Sequence, residues 1–151
     1  MTATLIAIAF GGALGALARY GIDLTVIRKI GAVPTGFPWG TLAINVAGSF
    51  LLGVLFVLLV EPTTGPPWLR AALTTGLLGA FTTFSTFSVQ TVQLAETGRG
   101  GLAVAYVLVS VAAGVLAATM AVLLARISPV FGWFGGGAVT VAMIAGFTRL
   151  A

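Results

Sequence analysis

Long apolar runs separated by short polar breaks set the pattern of this chain. The runs cover residues 5–22 (extending to 27), 39–60, 68–94 and 102–124. A helix needs about 20 consecutive, mostly apolar residues to cross the hydrocarbon core of a bilayer, and each run meets or approaches that length. The breaks are of turn-forming composition. Residues 23–38 carry Asp23, Arg28, Lys29, Gly31, Pro34, Gly36 and Pro38, with part of 24–30 helical or interfacial. Residues 61–67 begin with Glu61-Pro62, and Pro67 is placed to open the next helix. Residues 96–101 form a polar, glycine-rich turn. The pattern predicts an all-α membrane protein of four transmembrane helices, with Trp39 and Trp68 at the interface where two of them start. A further apolar stretch, residues 130–147, follows Ser128-Pro129 and contains Gly135-Gly136-Gly137. It is barely long enough to span, and three glycines weaken a helix, so it reads as a fifth span or as a re-entrant or interfacial segment. Residues 1–127 are thus expected to form the four-helix membrane domain, with 128–151 as an apolar extension.

Composition agrees with that pattern. The chain has 151 residues, of which 59% are hydrophobic and only 7% charged, with a mean hydropathy of +1.16. A soluble domain carries about 25% charged residues, so this one could not cover its surface in water. The net charge of +4 comes from seven basic residues, single or in the pair Arg28-Lys29. No basic stripe exists, which argues against nucleic acid as a partner. The absence of cysteine and histidine excludes disulfides, thiolate chemistry, haem ligation and most transition-metal sites. The first run lacks a basic leader and a clear cleavage site before Arg19-Tyr20, so it reads as a span rather than a signal peptide.

Orientation is barely encoded. Arg70 and Arg126 fall on one side; Arg28, Lys29 and Arg99 fall on the other, joined by Arg149 only if the last segment crosses. Arg19 is left out because it can lie within a span, either snorkelling to the headgroups or serving as a vestibule cation. Two against three gives the positive-inside rule almost nothing to act on. Such a chain can insert both ways and form an antiparallel homodimer of inverted copies.

The polar residues inside the runs carry the chemistry. The third run contains Gly76-Leu77-Leu78-Gly79-Ala80-Phe81-Thr82-Thr83-Phe84-Ser85-Thr86-Phe87-Ser88, uncharged but rich in hydroxyls. Polar groups at membrane depth face protein or a water-filled path. The β-branched and aromatic residues at 81–83 form helix poorly, which predicts a local break at 79–83 that frees backbone carbonyls for a cation, a hydroxyl or water. Beyond it, Phe84 and Phe87 share one face and Ser85 and Ser88 another. Phe81 continues the phenylalanine row and is assigned to packing. Thr41, Asn45 and Ser49 recur every four residues on one helix face, as do Tyr106, Ser110 and Gly114. Asn45 is suited to a helix–helix hydrogen bond or to a ligand. Gly11 and Gly15 permit close helix approach.

Asp23, Glu61 and Glu96 all lie at segment ends, so no carboxylate occupies the middle of a run. That weighs against a small proton-coupled drug or cation transporter, and the lack of a nucleophile–base pair weighs against an enzyme. A non-transporting scaffold would use the hydroxyl stripe for packing alone. What the chain offers is neutral donors and aromatic ring edges, which carry partial positive charge. These can replace the hydration of a small anion without trapping it, the balance that conduction needs.

Residues 79–88, Gly-Ala-Phe-Thr-Thr-Phe-Ser-Thr-Phe-Ser, resemble the signature of the CrcB/Fluc fluoride channels. Residues 11–20 and 40–50 resemble that family's first- and second-helix motifs, in the right order. The resemblance implies a dual-topology homodimer in the cell membrane with two narrow pores that export fluoride passively. It implies that Phe84 and Phe87 turn ring edges to fluoride and that Asn45 is the pore amide. Ser85, Thr86 and Ser88 would lie near the anion path, Tyr106 and Ser110 would match polar fourth-helix positions, and Arg19 would sit near the vestibule or the subunit contact. A structural Na⁺ at the dimer centre would be held by the carbonyls of Gly79 and Thr82 from each subunit. Gln90 stands where many relatives carry Glu, and Gly114 where a hydroxyl often continues the fourth-helix row.

Overall fold

A computed structural model of the chain describes residues 1–30, 36–61 and 65–128, and the 130–147 segment lies outside them. The elements are α1 (Thr2–Ile30), α2 (Trp39–Leu55), α3 (Pro67–Ala71), α4 (Gly79–Phe81), α5 (Phe84–Glu96) and α6 (Gly100–Ile127). A π-helical stretch over Phe56–Val60 prolongs α2, and another over Ala72–Leu78 joins α3 to α4. Together they make four spans: Thr2–Lys29, Trp39–Val60, Pro67–Glu96 and Gly100–Ile127. No strand occurs among the described residues.

Local sequence explains the ends. Pro67 occupies the first helical turn of α3, where its missing N–H costs nothing. Between α5 and α6, Gly98 takes φ 77°, its N–H donates to the Ala95 carbonyl, and Arg99 N–H donates to the Leu94 carbonyl. This is a Schellman closure, which favours glycine because an L side chain resists the left-handed conformation. The first helix is longer than the apolar run that predicts it, continuing through Asp23 to Ile30. No residue from 22 to 30 forbids a helix, and Asp23 finds a place against α2. A Cβ on Gly40 would come within 2.9 Å of Asp23 Oδ1, so the glycine makes room for the carboxylate beside the start of α2.

Packing brings the third span inward. α1 lies along the π-helical stretch at backbone-contact range: a Cβ on Gly11 would strike the Ala72 carbonyl, and one on Gly15 the Leu77 carbonyl. Gly76 returns the fit, since its Cβ would sit 2.7 Å from the Ile8 carbonyl. Glycines at this spacing let helices associate in lipid, where burial of apolar surface supplies no drive. α2 packs mainly on α6, and α6 also contacts α5. Ile44, Leu78 and Phe81 form one buried cluster, which places Phe81 in packing as its row suggested. At the far end of α2, Arg126 Nη2 pairs with Glu61 Oε1 at 3.1 Å, tying α6 to the α2 extension. The outward faces of α6 (Val104, Leu108, Leu116) are apolar and exposed, as a lipid-facing surface should be.

Candidate functional site

The third span breaks within the expected window, at Thr82 and Thr83. Both have extended backbones, φ −79° ψ 157° and φ −150° ψ 112°. Gly79 itself keeps helical angles, φ −63° and ψ −36°, so the β-branched pair and not the glycine makes the break. Asn45 on α2 closes it. Its Nδ2 donates to the Thr83 carbonyl at 3.1 Å, and Thr83 N–H donates to Asn45 Oδ1 at 2.8 Å. This two-way pairing satisfies the Thr83 backbone and leaves Asn45 one N–H. It also takes the donor that a continuous helix would have aimed at the Gly79 carbonyl. The Thr83 side chain then caps α5: Oγ1 accepts from Thr86 N–H at 3.2 Å and donates to Thr86 Oγ1 at 3.0 Å, with Ser85 Oγ 3.3 Å away.

A groove of about 340 Å³ lies beside the break, between α2, the third span and α6. It brings together Asn45, Phe84, Phe87 and Ser110, with Gly79 and Thr82 on its wall. No charged residue lines it. Phe84 is 79% exposed and projects at its open side, and its ring centre lies 5.6 Å from that of Phe87 at 44°. The Ser110 Oγ is buried with no hydrogen-bond partner among the described residues. Such an orphan normally costs on the order of 1–3 kcal/mol, so it marks a place where something else is met.

The remaining candidates lie off this groove. Ser85 and Thr86 belong to the hydroxyl cluster around Thr83, and Ser88 Oγ donates to the Phe84 carbonyl at 2.9 Å. Tyr106 is fully buried, its ring 5.1 Å from Phe87, and its hydroxyl donates to Gln90 Oε1 at 3.0 Å. Gln90 faces a second groove of about 260 Å³, which Thr41, Asp23 and Tyr20 also line. Tyr106 therefore touches Phe87 of the first groove and Gln90 of the second. Arg19 is half-buried on α1, and its Nε has no partner among the described residues. Two contributors, Thr83 and Ser49, are not among the residues expected to form the site. Thr83, the hub of the break, gave no signal beyond its run. Ser49 lines the first groove, and its four-residue spacing from Asn45 was visible.

Fold and site define a small four-span membrane protein whose neutral donors and aromatic rings meet at a helix break at membrane depth. The chain belongs to the CrcB-like family: the family model described as "CrcB-like protein, Camphor Resistance (CrcB)" matches residues 6–122. It is 47% identical over 112 residues to the fluoride-specific ion channel FluC 2 of Geobacillus kaustophilus, covering 74% of this chain and 84% of that one. It is 46% identical over 123 residues to the fluoride-specific ion channel FluC of Hahella chejuensis, covering 82% and 94%. The FluC of Cereibacter sphaeroides matches at 44% over 135 residues, covering 88% and 98%.

Proposed function

We propose that this protein is a fluoride-selective channel that lets fluoride leave the cytoplasm passively. Fluoride enters cells as the neutral acid HF and is trapped as the anion, so a passive exit suffices. The observation that carries the reading is the uncharged groove at the break. There the spare N–H of Asn45, the unpaired Ser110 hydroxyl and the Phe84 and Phe87 rings converge. Neutral donors and ring edges can take over a small anion's hydration and still release it. Relatives named for fluoride conduction support the same reading. The groove has no carboxylate, which disfavours proton-coupled exchange.

The working unit is an antiparallel homodimer. The groove is open where Phe84 projects, and a second copy inserted the other way round would close it. The nearly balanced basic residues support insertion in both senses. At the dimer centre the carbonyls of Gly79 and Thr82 would hold a structural Na⁺. The fit is chemical: hard cations take oxygen ligands, and the Gly79 carbonyl has lost its helical donor to Asn45. Arg19 lies near the vestibule or the contact between copies.

Fluoride efflux from liposomes containing the purified protein, read with a fluoride electrode, tests the proposal. Efflux well above empty liposomes, with chloride retained, is expected. No efflux, or equal chloride efflux, would overturn it.

A further inference from the structure

We infer that Ser49 is a further anion-path residue, whose hydroxyl serves the groove from α2 at the place where α6 has only Gly114. The inference rests on the channel reading and adds a residue to it.

Two helix faces oppose each other across the groove. Asn45 and Ser49 stand one turn apart on α2, and Ser110 and Gly114 one turn apart on α6; all four line the groove. The groove's hydroxyls differ in what they are bonded to. Thr74 Oγ1 donates to the Arg70 carbonyl and Thr82 Oγ1 to the Leu78 carbonyl, each at 2.9 Å, and Thr83 Oγ1 donates to Thr86 Oγ1. A serine or threonine in a helix commonly turns back to the carbonyl four residues earlier in this way. Thr25, Ser88, Thr91 and Thr97 do so as well. Ser49, half-buried on the groove wall, shows no such bond among the described residues, and the Ser110 hydroxyl is buried there without a partner. Its hydroxyl is uncommitted.

Gly114 shows where that hydroxyl lies. A Cβ built there would come 3.6 Å from Ser49 Oγ and meet nothing else within 4 Å. Ser49 thus occupies the space a side chain at 114 would reach. With Asn45 and Ser110 it makes three neutral donors lining one uncharged groove, Ser49 standing one turn beyond Asn45 on α2.

The test moves the hydroxyl across the groove. Ser49→Ala is expected to slow fluoride efflux on the order of tenfold, the loss of one hydrogen bond to a charged group. Ser49→Ala with Gly114→Ser, which puts a hydroxyl back in the same space from α6, is expected to recover most of the rate. The spacing at Gly114 is ordinary van der Waals contact, so a Cβ is accommodated there. Size-exclusion profiles like that of the unmodified protein establish assembly. An unchanged rate in Ser49→Ala overturns the inference, and so does a slowed rate that Gly114→Ser leaves unrecovered. Absence of fluoride efflux from the unmodified protein would instead sink the channel reading itself.

Discussion

Asn45 does two jobs with one amide. Its carbonyl and one N–H hold the Thr83 backbone, and the other N–H is left for the groove. Asn45→Asp removes both donors, sets a carboxylate against the Thr83 carbonyl and adds a negative charge to the wall. Fluoride efflux is expected to fall at least about tenfold. Phe84→Ile keeps the bulk but removes the electropositive ring edge, and efflux is expected to fall while the size-exclusion profile stays that of the unmodified protein. Wild-type rates in both variants would remove the pore assignment. In the sequence, Asn45 stood out as an amide at membrane depth. Its partner did not, because Thr83 lies 38 positions away and offers only backbone atoms, which any residue has.

Four spans and a broken third one could be read from run length and from the poor helix formers at 81–83. The two π-helical stretches could not, since a switch to i→i+5 bonding leaves no mark in run length or apolar spacing. The sequence leaves the end of α1 open between 22 and 30, because Asp23 looks like a loop residue until Gly40 is seen making room for it. Two glycines of α1 separate propensity from packing. Gly15→Ala drives a methyl into the Leu77 carbonyl and is expected to lower stability by about 1–3 kcal/mol. Gly21 has no neighbour within 4 Å, so Gly21→Ala is expected to be neutral or stabilising by up to about 1 kcal/mol. Thermal melting of the detergent-purified variants measures both. Equal effects would mean that the close seating of α1 on the third span contributes nothing.

The chain joins an apolar outer surface to a polar seam that stands open, with Phe84 79% exposed. Insertion in both senses can be checked on a chain without cysteine. Thr97→Cys places one thiol in the exposed turn before α6, and a membrane-impermeant reagent is expected to label about half of it from either face. Labelling from one face only would exclude antiparallel copies. The Asn45–Thr83 pairing bears on how such a seam can work once closed. A side chain from α2 supplies both bonds that a neighbouring strand would give, so the interrupted backbone at Thr83 asks for no solvent. Drying the passage then takes nothing from that part of its wall, and the work of shedding water is confined to the ion.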